Sequence, residues 1–322
     1  MARFRYKMQS ILDIKEKLEN KAKQDFAAAN KRLQEEMEKL EQLKARKEQY
    51  LEEGVRLRSE MLDIQKMKEN KYDYVFVILG QSFNSKMFKD LKEINPNAKF
   101  ILYLWDAVKN FPHIEDLAIA FDKVFTFDNE DSVKYYYEFL PLFFNKKKEK
   151  EYEEVYDTSF VGTIKKGKLL YILNLEKELN EKYNNNFFYL YLQSKLVFWY
   201  NKLVNKEFKN VKSNKFHYSK LSYEDNNEIV NKSKIVIDVP MSNQNGLSMR
   251  TFECLGYSKK MITTNRNVVN YDFYRQENIY LYDGKEIDFN NIFFKSEYKE
   301  IEKEIVDKYY IENWIKNLFK ED

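Results

Sequence analysis

The sequence predicts an α/β protein: one long amphipathic helix, then two domains each built on a parallel sheet. Two observations predict it. Over the first 70 residues, apolar side chains recur at Ile11, Ile14, Leu18, Ala22, Phe26, Ala29, Leu33, Met37 and Leu40. These steps of three and four draw a single stripe along a helix. From Tyr72 the period changes to short runs rich in Val, Ile, Phe and Tyr, alternating with charged segments of helical length. Such alternation suits a parallel sheet, in which a crossover must bring the chain back before each new strand.

Between the stripe residues lie Lys, Arg, Glu and Gln, all good helix formers, and no proline occurs before Pro96. Gly54 is the weak point of the stretch. Continuous helix there would be on the order of 100 Å long at ~1.5 Å per residue. A rod of that kind cannot bury its stripe alone, so a partner helix or self-association through residues 1–70 is expected.

The sheet elements follow in order. "YDYVFVILG" (72–80) reads as a buried strand closed by glycine, "SKMFKDLKEIN" as a helix stopped before Pro96, and "AKFILYLWD" (98–106) as a second strand. "IEDLAIAF" is a short helix, "KVFTF" (123–127) a third strand, and "NEDSVKYYYEF" a helix with Asn129 as its N-cap. The lysine-rich "NKKKEKEYEEVYD" (145–157) has no apolar period and reads as a linker. A second alternating set follows: strands "TSFVGT", "NFFYLYLQ", "KIVIDV", "KKMITT" and "ENIYLYD", with helices over "KLLYILNLEKELNEKY", "EDNNEIVNKS" and the residues after Gly246. The carboxyl end from Ser296 is helical and is expected to pack back on the fold. Residues 194–221 receive no element. The domain division is 1–70, 71–150 and 151–322.

Composition excludes several classes. The 322 residues carry 55 basic and 52 acidic side chains, net +3, too near neutral to suggest a nucleic-acid partner. A single cysteine rules out an internal disulfide, and two histidines leave little for a zinc site. There is no apolar run near the length of a membrane span and no apolar stretch behind the basic start. A cytoplasmic location is expected, with a peripheral position at the inner membrane face as its variant.

Ligands of doubly wound sheets bind beyond the carboxyl ends of the strands. Two loops stand out there. After "SFV" come Gly162, Lys165 and Lys166; after "KIVIDV" comes a polar loop ending in Asn245 and Gly246, which opens the helix carrying Arg250 and Glu253. A helix amino terminus presents free amides and a positive dipole end, which suits phosphate. Gly246 removes side-chain bulk, Arg250 can fork onto a diphosphate, and Glu253 can accept two hydroxyl hydrogen bonds, as from a ribose. Against this, Arg250 and Glu253 are three apart and form an ordinary surface pair equally well. Cys254 reads as packing. The sequence has no P-loop, no G-x-G-x-x-G and no D-x-D.

Two resemblances add to this reading. "MARFRYKMQSILDIKE" and the Ala-, Gln- and Lys-rich helix after it resemble the amino-terminal half of the flagellar export protein FliJ, over roughly the first 68 residues. That family pairs two long helices, and this chain has the first only. Residues 72–290 resemble bacterial glycosyltransferases of the GT-B type, CgeB-like and capsule or lipopolysaccharide biosynthesis members among them. "YDYVFVILGQSF", "PNAKFILYLWD", "FDKVFTFDNED", "YDTSFVGT" and above all "SKIVIDVPMSNQNGLSMRTFECLGYSKKMITTN" carry the likeness.

The second resemblance implies two Rossmann-like domains and transfer of a sugar from a nucleotide-sugar donor to a glycan or protein acceptor, without metal or cofactor. It implies that Glu253 holds the ribose, and that Arg250, Lys165 or Lys166, with amides near Gly246, hold the diphosphate. It also implies a base in the first domain, Asp106 first and Asp128 second, either of which could instead cap the turn that follows. The usual opening strand and helix of that domain are replaced by the long helix, so the first domain reads as truncated at its amino end. The alternative is a non-catalytic interaction protein whose helix docks on flagellar export or assembly partners, or a fusion of two unrelated segments with impaired activity.

Overall fold

The computed structural model describes residues 18–21, 23–27, 30–31, 33–42, 71–80, 83, 85–111, 113–148, 152–241 and 245–320. The chain divides into two compact units, Met1–Lys71 and Tyr72–Asp322. In the first, the described residues between 18 and 42 are helical, and Leu18, Phe26, Leu33, Met37 and Leu40 of the stripe are exposed. Ion pairs Lys23–Glu19 and Lys39–Glu36, each 2.8 Å, run along this helix. The FliJ-like opening and Gly54 lie outside the described residues.

The second unit holds two parallel sheets. The first consists of β1 (Tyr74–Ile78), β2 (Lys99–Leu104), β3 (Lys123–Thr126) and β4 (Glu138–Phe139), in that spatial order. The crossovers are α1 (Ser85–Ile94), α2 (Ile114–Ala118) and α3 (Asn129–Tyr135). Because each step moves the same way across the sheet, right-handed crossovers place their helices on one face. Phe100, Leu102 and Leu104 alternate with Ile101 and Tyr103 along β2, and all five are buried. Ile101 and Tyr103, with Phe125 and Phe127, therefore need a cover from elsewhere in the chain.

The second sheet supplies part of that cover. Its strands are β5 (Tyr156–Thr163), β6 (Asn186–Tyr191), β7 (Ser233–Asp238), β8 (Lys260–Thr263) and β9 (Ile279–Leu281), in the order β6-β5-β7-β8-β9. The chain moves one way from β5 to β6 and the other way after β7, so helices lie on both faces. α4 (Leu169–Lys182) and α5 (Lys195–Val204) share a core with Phe160, Leu190, Ile235, Ile237 and Ile262. On the other face, α6 (Tyr223–Asn231) and α7 (Met249–Gly256) join Val236 and Met261 in one continuous core with Tyr103 and Phe127 of the first sheet.

Three short helices end the chain: α8 (Ile292–Lys295), α9 (Lys303–Lys308) and α10 (Ile311–Leu318). α10 returns to the bare face of the first sheet. Trp314 meets Tyr103 edge-on at 4.8 Å and donates its indole N–H to the Pro141 carbonyl at 2.8 Å. Phe319 meets Tyr74 at 5.0 Å.

Several elements differ from the sequence reading. Asp128, not Asn129, caps α3, accepting from the amides of Glu130 and Asp131. That helix stops at Tyr135, and "EF" becomes the short strand β4. α5 lies in the stretch given no element; apolar residues on both its sides blur the helical period. Within the expected linker, the Lys148 amide bonds the Gly256 carbonyl and the Val155 amide bonds that of Lys232.

Candidate functional site

The strand order of the second sheet reverses between β5 and β7, which are neighbours. Their crossovers leave on opposite faces, and the region beyond their carboxyl ends is the place where open α/β sheets take ligands. After β5, the loop from Ile164 to Lys168 leads into α4. After β7, Val239 to Met241 and then Asn245 to Ser248 are the described residues before α7.

Asp238, the last residue of β7, is buried. Burial raises its pKa above the ordinary carboxylate value; nearby Arg250, the Ser248 hydroxyl, Lys168 and Thr251 act the other way. Ser248 precedes α7 and would be expected to cap it. Instead its hydroxyl donates to Asp238 Oδ2 at 2.9 Å, leaving α7 without a side-chain cap. α4 likewise begins at Lys168 without one.

Two cations face these uncapped starts. Arg250 Nη2 donates to Asn226 Oδ1 of α6 at 3.3 Å, while Nη1 is buried with no hydrogen-bond partner among the described residues. Lys168 is half-buried, and desolvation lowers its pKa against the pull of Asp238, with Arg250 and Lys165 also lowering it. Among the described residues it forms no ion pair. Glu253, one turn along α7, is held above the ordinary carboxylate range by burial, with Arg250 opposing and Asp238 reinforcing. The Arg250–Glu253 surface pair that their spacing permits is not formed among the described residues. The arrangement offers two positive groups to an anion and a carboxylate acceptor about one turn beyond them.

Lys165 and Lys166 are exposed on the first loop, three and two residues before Lys168. The Gly167 amide of that loop donates to both Glu207 carboxylate oxygens, at 3.1 and 3.2 Å. Gly167 has φ +87°, a left-handed conformation that glycine adopts freely. Gly162 is within β5, where a Cβ would press on Phe160 at 2.8 Å.

Asn245 and Gly246 occupy the junction between the two sheets. A Cβ on Gly246 would lie 2.4 Å from the Phe127 ring. Asn245 Nδ2 donates to Glu130 Oε2 at 2.6 Å, and the Asn245 carbonyl accepts from Asn267 Nδ2 at 2.9 Å. The absent side chain of Gly246 thus admits a phenyl ring of the first sheet. Ser242, Asn243 and Gln244 lie outside the described residues.

The carboxylates of the first sheet are both turn-formers. Asp106 Oδ1 accepts from the Ala107 amide and from Asn110 Nδ2, each at 2.8 Å, on a half-buried side chain. Asp128 is almost wholly buried; Oδ1 caps α3, and Oδ2 has no partner among the described residues. Asp131 braces both loops by accepting from the Val108 amide at 2.7 Å.

The sequence reading chose Lys165 and Lys166 and passed over Lys168, Asp238 and Asn226. Asp238 was signalled by its place at the end of "KIVID", as Asp106 and Asp128 were by theirs. Nothing local marks Lys168 or Asn226, because Lys168 matters only where the starts of α4 and α7 come near each other, and Asn226 only where α6 bonds to Arg250 of α7.

No protein-family model and no curated protein matches the sequence. The chain is similar to several solved structures. One is a lipopolysaccharide outer core galactosyltransferase, WaaB, in its apo form, with 13% identity over 79% of this chain and 75% of that one, TM-score 0.47. Another is Anabaena Alr3699/HepE in complex with UDP-glucose, with 12% identity over 68% and 66%, TM-score 0.46. A third is an alpha-glucosyltransferase in complex with UDP and a 13-mer DNA containing an A:G mismatch, with 14% identity over 64% and 61%, TM-score 0.42. The chain spans three quarters of the first and less than two thirds of the other two.

Proposed function

We propose that the Tyr72–Asp322 unit is a glycosyltransferase of the GT-B type, which takes a sugar from a nucleotide-sugar donor and gives it to a hydroxyl of a glycan or protein. The observation that carries the reading is the pair of cations, Lys168 and Arg250, set without ion-pair partners among the described residues at two uncapped helix starts beyond β5 and β7. The GT-B resemblance of the segment around Arg250 supports the same reading.

The donor diphosphate lies against Lys168 and Arg250 and the first amides of α7, with Lys165 and Lys166 at the loop edge. Its charge relieves the desolvation that Lys168 otherwise carries. Glu253 accepts the ribose hydroxyls, while Asn245 and Gly246, held against Glu130 and Phe127, fix the approach to α7. As the glycosidic bond to the leaving diphosphate breaks, Arg250 and Lys168 stabilise the charge that grows on it. Neutralisation by side chains lets the reaction proceed without a metal. Asp106 serves as the base toward the acceptor hydroxyl, because it is less buried than Asp128.

Thermal melting against a panel of nucleotide sugars tests the reading, since a ligand of the native state must raise the melting temperature. A stabilising donor whose effect disappears in Arg250→Ala supports it. No stabilisation by any nucleotide sugar would refute it. The exposed stripe from Leu18 to Leu40 favours a second reading, in which the first unit docks on a partner and the sugar nucleotide is bound without turnover. Donor binding with neither hydrolysis nor transfer would select that reading.

A further inference from the structure

α5 turns an apolar face to solvent. Leu196, Trp199, Tyr200, Leu203 and Val204 are 65%, 57%, 55%, 73% and 62% exposed. At 100° per residue they fall within an arc of about 140°. The opposite side carries Phe198, fully buried against Phe208 and Phe216. The helix is therefore anchored by one side and apolar on the other. Among the described residues, no other element of this unit exposes more than two large apolar side chains.

The flank of this face is basic. Residues 195–220 contain seven lysines and one acid, Glu207. Their local charge of +6 exceeds the +3 of the whole chain, so the remaining residues sum to −3. Lys195, Lys206, Lys209 and Lys212 are all exposed. The segment contains no arginine. Protein–protein interfaces are enriched in arginine and depleted in lysine. Lysine around a face of Trp, Tyr and Leu is instead the composition of a helix lying in a bilayer interface, where aromatic rings sit among the headgroups and lysines meet lipid phosphates.

We propose that α5 and the lysine-rich turns after it seat this unit on an anionic lipid surface. The apolar face enters the headgroup layer, and the lysines supply the preference for negative charge. Glu207, in the turn after α5, holds the Gly167 amide between Lys166 and Lys168. The membrane-facing segment and the candidate donor loop are thus joined at one end of the second sheet. The proposal does not depend on the reaction proposed above.

Co-sedimentation of the full chain with phosphatidylcholine vesicles, with and without phosphatidylglycerol, tests it. Binding is expected only to vesicles containing phosphatidylglycerol, weakening as salt is raised. Trp199 emission should shift to the blue on binding, and Trp199→Phe should remove that part of the shift. The triple change Leu196→Gln, Trp199→Gln, Leu203→Gln should abolish binding without lowering the melting temperature. Lys206→Glu, Lys209→Glu and Lys212→Glu together should weaken it by on the order of 100-fold, at roughly fivefold per lysine. Absence of binding by the wild-type chain, or binding as tight as wild type by both triple variants, would overturn the proposal. So would a drop in mass by light scattering when the apolar residues are replaced, because a second copy would then be what covers the face.

Discussion

Arg250 ends in two unlike nitrogens: Nη2 bonded to Asn226 and Nη1 buried without a partner among the described residues. An unsatisfied buried donor is costly unless a ligand completes it. Arg250→Ala is therefore expected to weaken donor binding by ~10- to 100-fold, the worth of a charge-assisted hydrogen bond at about 1.5–3 kcal/mol. Calorimetry measures it, and Glu253→Ala should show a comparable loss for ribose-containing donors. Asp238 gives a pH signature. Its pKa is raised above 3.8 by burial, so its contribution favours the fold below that value and is lost as pH climbs through the raised one. Asp238→Asn should remove this slope. The melting temperature of the variant relative to wild type should rise as pH increases from about 4; a constant difference would contradict the assignment.

At the scale of elements, the β7–α7 loop serves both sheets. Gly246 lets it press on Phe127, while Asn245 binds Glu130. Gly246→Ala should destabilise the protein by about 1–3 kcal/mol through overpacking. Phe127→Leu should recover part of that loss in the double variant, a coupling read by denaturant melts. α10 has a parallel role on the bare face of the first sheet. Trp314→Ala removes a ring packed on Tyr103 and Phe143 and should cost about 3–5 kcal/mol. The alternation of strands and helices was legible because burial on both faces leaves apolar runs with helix-length spacing. α5 was not, because its outer face is as apolar as its inner one, and a helix apolar all round loses its periodic signal.

In the whole molecule, both hydrophobic cores are built from residues after Tyr72, and one of them runs through both sheets. The two sheets therefore unfold as a single cooperative unit, seen as one transition in calorimetry. A chain starting at Tyr72 is expected to keep donor binding, since no residue of the candidate site precedes Asp106. No helix of the described residues is long and apolar enough to cross a membrane.

The sequence by itself determined the alternating α/β pattern, the change of period at Tyr72, and the loop and helix start that carry Arg250 and Glu253. Each of these is written in local spacing. Only the tertiary structure decided that Lys168, Asp238 and Asn226 join them, that Gly246 faces Phe127, and that α10 closes the first sheet. Those facts depend on where the strand order reverses and which face a one-way sheet leaves bare, and spacing along the chain carries neither.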